Sequence, residues 1–111
     1  MSTRSTLANG RRSRRNDRHH ISPAAQTDID KIWDYTATSW NVDQAERYIQ
    51  DIRDACHELA EGTRMSCPSD IRKGYRKASV GSHFLYFKSN DAGQIIVVRI
   101  LHQRMDVAKN L

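Results

Sequence analysis

Three side chains near the C-terminus could do chemistry together. Arg99, His102 and Arg104 lie toward the end of the run Gln94-Ile-Ile-Val-Val-Arg-Ile-Leu-His-Gln-Arg-Met-Asp106. A histidine near neutral pH can take or give a proton, and an arginine can hold an anion or the charge developing on a phosphoryl group. The plainer reading is a salt-bridged strand arginine followed by polar residues where the strand leaves the core, and composition alone favours it. Other chemistries find less support. The five histidines show no HExxH or paired zinc spacing, and neither a G-x-S-x-G elbow nor a glycine-rich phosphate loop is present. Ser82 and His83 are neighbours, but adjacent strand side chains point to opposite faces, so no Ser–His pair is expected. Cys56 and Cys67 form no CxxC and suggest free thiols in a reducing cytoplasm rather than a zinc site or a disulfide framework. No metal or cofactor is implied.

A sheet must position that run, which is the segment richest in aliphatic residues and is expected to be the central strand. Period-two alternation puts Ile96, Val98 and Ile100 on one face and Ile95, Val97 and Leu101 on the other, so both faces should be covered. Residues 75–80 and 83–88 read as two more strands. They are reversed by Gly81-Ser82 and by Asn90-Asp-Ala-Gly93, which makes an antiparallel meander. Ser22 before Pro23 is a helix start, and the helix should reach about Ser39. Its apolar face holds Ala25, Ile29, Ile32, Trp33, Thr36 and Trp40, with Asp28, Lys31 and Asp34 opposite and both tryptophans expected in the core. Asn41 and Gln44 resemble a capping box that opens a second helix through Ala45, Tyr48, Ile49, Ile52 and Leu59 to a stop at Gly62. So short a connection predicts an antiparallel hairpin with the sheet as its other wall. Residues 63–70 read as a loop, and residues 105–111 as a helical turn or a tail.

At 111 residues there is room for one domain, which buries roughly two-thirds of its unfolded surface. The formal charge of +5 divides unevenly along the chain. Residues 1–20 hold six arginines and one aspartate and read as a disordered basic arm, with the folded domain at residues 21–111. Residues 21–62 carry nine acids against three bases, and residues 63–111 carry nine bases against three acids. Such polarity suggests a basic face for an acidic partner, unless the halves neutralise each other when packed. No apolar segment supports a secretory or membrane-spanning reading, and a cytoplasmic protein is expected.

Ile100-Leu-His-Gln-Arg-Met-Asp-Val107, taken with Trp33-Asp-Tyr-Thr36 and Gln44-Ala-Glu-Arg-Tyr-Ile49, resembles the ParE family of toxins from bacterial toxin–antitoxin modules. The resemblance runs from about Ile21 to the C-terminus. It implies an α+β fold of RelE/ParE type, with an antiparallel helical hairpin packed on a small, three- to four-stranded, mainly antiparallel sheet. It further implies a type II, plasmid-stabilisation toxin that binds and inhibits DNA gyrase stoichiometrically and is neutralised by a ParD-like antitoxin. Target contact is expected through Arg72, Arg76, Arg99, His102 and Arg104, and antitoxin contact or support through Trp33, Tyr48 and Ile52. ParE proteins resemble the RelE ribosome-dependent mRNA endoribonucleases in fold, and the same basic set could imitate a RelE site. The ParE branch typically lacks that constellation, so no residue is given a catalytic role. A RelE-like endoribonuclease and an inactive remnant that still binds antitoxin are the alternatives. ParE-like chains usually open with a short strand before the position of Ser22-Pro23. Arg18-His-His-Ile21 offers little apolar character there, so a damaged first strand and an unpaired sheet edge are expected. The alternative is that His19 and His20 still pair, because backbone pairing needs no apolar side chain.

Overall fold

Local capping chemistry sets both helices. In the computed structural model, which describes residues 19–69, 71–105 and 109, Ser22 accepts a hydrogen bond from the Ala25 N–H at 3.1 Å and Pro23 opens α1, Pro23–Ser39. Asn41 caps α2, Val42–Glu61, by accepting from the Gln44 N–H at 2.7 Å. Gly62, at φ 79°, ends it: the Thr63 N–H reaches back to the Glu58 carbonyl and the Gly62 N–H to that of Leu59, a pairing that only a left-handed residue makes cheaply. Most of the expected arm (residues 1–18), Asp70, and the C-terminal residues 106–108 and 110–111 lie outside the described residues.

The strands are β1, His19–Ile21; β2, Cys67–Pro68; β3, Arg76–Val80; β4, His83–Ser89; and β5, Ile95–His102. Their order in the sheet is β1-β5-β4-β3-β2, with β1 parallel to β5 and every other pair antiparallel. The described sheet therefore has five strands rather than three or four, and β4 rather than the aliphatic run occupies its middle. The opening strand is intact: His19, His20 and Ile21 pair with Ile95, Ile96 and Val97. Main-chain groups make that ladder, so two histidines serve as well as two valines, and the expected damage at this edge is not found.

Each edge strand is shorter than the neighbour it covers, and side chains satisfy what it leaves open. Beyond β1, the Ser22 N–H and hydroxyl donate to the Val97 and Val98 carbonyls, both at 3.0 Å, and the Ile100 N–H donates to Asp28 Oδ2 at 2.9 Å. Beyond β2, Arg64 donates to the Ser79 carbonyl at 3.0 Å and pairs with Glu58. These bonds protect a small sheet from edge-to-edge pairing.

The core lies between the hairpin and one face of the sheet, where Ile29, Ile49, Ile52, Leu59, Leu85, Phe87, Val97 and Ile100 pack together. Fully burying a side chain such as Ile52 or Leu85 contributes about 1.5–3 kcal/mol. The β5 face assignment needs correction. Phe87 pairs with Val97 but Tyr86 with Arg99, so Val98 is an extra residue in β5 and the alternation steps by one. Ile100 consequently joins Val97 in the core cluster, while the buried Leu101 lies outside it.

Candidate functional site

At one end of the molecule the start of α2, the β3–β4 turn and the end of β5 converge around a cleft of about 550 Å³. Lys31, Ile32, Tyr35 and Thr36 of α1 form one wall with Trp40, and Gln44 and Tyr48 of α2 another. Ser82, His83 and His102 close it from the sheet. No carboxylate is among these lining residues, although α1 and α2 carry nine acids. Tyr35 and Trp40 are 72% and 74% exposed, so the expectation that both tryptophans are core residues fails at Trp40. Trp33 meets it in part, packing against the core with its indole N–H donating to Glu46 at 3.1 Å.

Tyr48 organises the inner wall. Its hydroxyl accepts from the Ser82 N–H at 3.1 Å and lies 3.0 Å from the Val80 carbonyl and 2.7 Å from His83 Nδ1. Burial, partly offset by the Ser82 N–H, raises the Tyr48 pKa and keeps the phenol protonated. His83 stacks edge-on to His102 with ring centroids 5.2 Å apart. Burial, followed by the neighbouring His102, lowers the His83 pKa. The Arg104 N–H donates to His102 Nδ1 at 3.1 Å, so a neutral His102 carries its proton on Nε2. The cluster thus offers protonatable donors and a lysine. Among the described residues no group of three potential metal ligands occurs.

The sequence-derived target set is not brought together. Arg76 stands at the far end of β3, four residues or about 13 Å along the strand from the Val80 end where His102 sits, and Arg72 precedes that strand. Arg76 is spent on Ser66, donating to its hydroxyl and carbonyl at 3.0 Å. Arg99 forms a two-pronged ion pair with Asp28 at 2.8 and 2.9 Å, which realises the plainer reading of that residue. Asp28, expected on the solvent face of its helix, is only 7% exposed. Arg104 is exposed beside His102. Of the antitoxin set, Ile52 is wholly buried and supports the hairpin from within, while Tyr48 and Trp33 are half-buried. Ser82 and His83 both line the cleft, because Ser82 lies in the turn, yet it is Tyr48 that bonds His83. Cys56 is buried and its thiol is pushed up to about 11 by burial, whereas Cys67 is exposed; both are free.

Two histidines should make stability fall in mild acid. His19 keeps Nδ1 buried and, among the described residues, without a hydrogen-bond partner, and burial, then His57 and His20, lower its pKa as the pKa of His83 is lowered. Above the unfolded value near 6.5 both states are neutral and nothing is lost. Below it the unfolded chain takes up protons that the folded chain resists, so stability falls as pH drops toward the depressed folded values. The denaturant midpoint should be lower at pH 5.5 than at pH 7.5, and His19→Gln should reduce that difference. An unchanged difference would show that His19 does not contribute.

A helical hairpin over one face of a small mixed sheet is the fold of a solved structure entitled "Chromosomal ParDE TA system from P. aeruginosa". The match has a TM-score of 0.68 at 20% identity and covers 79% of this chain and 97% of that one. The sequence comparisons are more specific. The family model for "ParE toxin of type II toxin-antitoxin system, parDE" matches residues 20–107. The chain is 48% identical over 95 residues to Toxin ParE1 of Mycobacterium tuberculosis (strain ATCC 25618 / H37Rv), covering 85% of this chain and 97% of that toxin. It is 31% identical over 94 residues to Toxin ParE1 of Caulobacter vibrioides, covering 84% and 96%. The chain belongs to the ParE family of type II toxins. No helix among the described residues is long and apolar enough to cross a membrane.

Proposed function

We propose that this toxin acts as a stoichiometric inhibitor of DNA gyrase in the cytoplasm and is silenced by a ParD-like antitoxin. The observation that carries a binding rather than a catalytic role is the dispersal of its basic residues. Arg99 is held by Asp28 and Arg76 by Ser66, while among the described residues Lys31 is the one permanent cation in the cleft lining. Family membership supports gyrase as the target. The antitoxin fits the exposed aromatic cleft, because Tyr35, Trp40 and Val42 lie 72%, 74% and 53% exposed at one end of the hairpin, an apolar surface suited to a protein partner. A RelE-like endoribonuclease is the second reading, favoured by the Tyr48–His83–His102 cluster beside Lys31.

Induction in cells separates them. Gyrase-dependent DNA breaks and filamentation, with mRNA intact, are expected. Ribosome-dependent cleavage by purified protein, abolished by His102→Ala, would replace the inhibitor with the enzyme. Co-expression with the neighbouring open reading frame should raise solubility and abolish growth arrest, and Trp40→Ser should weaken that rescue. If the toxin is equally soluble alone and indifferent to the neighbour, the antitoxin reading fails.

A further inference from the structure

We propose that the sheet face turned away from the helices binds the phosphodiester backbone of nucleic acid. The inference goes beyond gyrase inhibition and does not depend on it.

Acid and base are sorted by layer. The five strands contain no aspartate or glutamate, and nine of the acids stand on α1 and α2. Alternation from the core residues Ala78, Val80, Leu85 and Phe87 sends Lys77 of β3 and Phe84, Tyr86 and Lys88 of β4 to the opposite face. Among the described residues the cations there are held by rings rather than by carboxylates. The Arg72 guanidinium and the Lys88 ammonium each lie 5.6 Å from the centroid of the Tyr75 ring, and the Lys77 ammonium lies 4.9 Å from that of Phe84. Two positive charges on one ring are thus within about twice 5.6 Å of each other. Cation–π contact fixes their position without neutralising them. Arg76, by the same alternation, belongs to the helix-side face, where its bonds go to Ser66, and adds nothing to this one.

This surface suits a polyanion better than an acidic peptide. A protein partner needs apolar anchors, but Tyr86 and Leu101 are already covered, at 2% and 1% exposure, and Tyr75 and Phe84 are half-buried beneath their own cations. The exposed aromatic side chains are in the cleft instead. Phosphate contacts need only positive charge at suitable spacing, and each one adds about −0.9 to the slope of log affinity against log salt. The sequence carries the signal as Arg72-Lys-Gly-Tyr-Arg-Lys77, four bases around a turn and an aromatic residue.

The test titrates the full-length protein into a labelled 20-base-pair DNA duplex, and into a single-stranded RNA of equal length, at several salt concentrations. The triple variant Arg72→Gln, Lys77→Gln, Lys88→Gln should lose at least tenfold in affinity, with the salt slope shallower by about three. Binding to DNA alone, or to both nucleic acids, supports the site and names its ligand. A second variant, Arg11→Gln, Arg12→Gln, Arg14→Gln, controls for the arginine-rich N-terminus. If the triple variant were to lose its thermal transition, Lys88→Gln alone should make the slope shallower by about one, because Lys88 is exposed. An unchanged slope in the face variants overturns the proposal. So does a loss confined to the N-terminal variant, or displacement of DNA by polyglutamate at equal charge.

Discussion

Asp28→Ala should cost about 3–5 kcal/mol of folding stability, the largest loss expected from any single carboxylate in the chain. Asp28 is 7% exposed, accepts two hydrogen bonds from Arg99, and also accepts the Ile100 N–H where β1 no longer covers β5. Alanine removes all three bonds, leaves the Ile100 N–H without its acceptor, and deprives Arg99 of its closest negative charge. A domain of this size has only about 5–15 kcal/mol in hand, and each kilocalorie is worth roughly 4–8 °C in Tm, so a fall of roughly 12 °C or more is expected. Asp28→Asn should fall between, since its amide oxygen can still accept from Ile100 while the charge is gone. Urea unfolding with an unchanged m-value provides the measurement. A loss below about 1 kcal/mol for the alanine variant would mean that the edge of β5 is satisfied by other means.

The same residue shows where sequence reading stopped short. Ala25, Asp28, Ile29 and Ile32 follow the three- and four-residue spacing of a buried helix stripe, and all four are buried. Helical phase alone therefore places Asp28 inside; its charge argued for solvent. A carboxylate on a buried stripe points to a buried cation or N–H, and Arg99 is the arginine in the most aliphatic strand. The helices were legible because their caps are written within four residues, at Ser22-Pro23, Asn41 to Gln44, and Gly62. Strand β2 was not, since two residues carry no period. The Val98 bulge was hidden because β5 is aliphatic at both parities from Ile95 to Val98, so the run gives no clue to where the register steps.

For the site, residue types were legible but their neighbourhoods were not. His102 was singled out, but its partners His83 and Tyr48 come from a different strand and a helix, and the pairing of His83 with His102 brings them together. The arginines were grouped by charge alone, while the strand directions place Arg76 and His102 at opposite ends of the sheet. Segregation of charge along the chain was the better guide. It became segregation by layer once the helices packed on one side of the strands, with local neutralisation only at pairs such as Arg99–Asp28 and Arg64–Glu58.

Gly81→Ala should destabilise the toxin by about 3–5 kcal/mol and open the cleft. Gly81 sits at φ 56° in the β3–β4 turn, where a side chain costs roughly 1–2 kcal/mol. A Cβ there would lie 2.6 Å from both Cε1 and the hydroxyl of Tyr48 and 3.0 Å from Cζ. Tyr48 cannot yield cheaply, because its hydroxyl is held by the Ser82 N–H, the Val80 carbonyl and His83. Either the ring moves and these bonds are lost, at about 0.5–1.5 kcal/mol each, or the turn deforms and the β3–β4 register loosens. A double-mutant cycle identifies the cause. In a Tyr48→Ala background the overlap is gone, so Gly81→Ala should then cost only the backbone strain, and the coupling should be about 2–3 kcal/mol. If the alanine costs the same in both backgrounds, the close approach of Tyr48 is not what requires glycine. Where coupling is found, Gly81→Ala should also shift the His83 imidazole resonances in a pH titration, because displacing Tyr48 removes the hydroxyl that lies 2.7 Å from Nδ1.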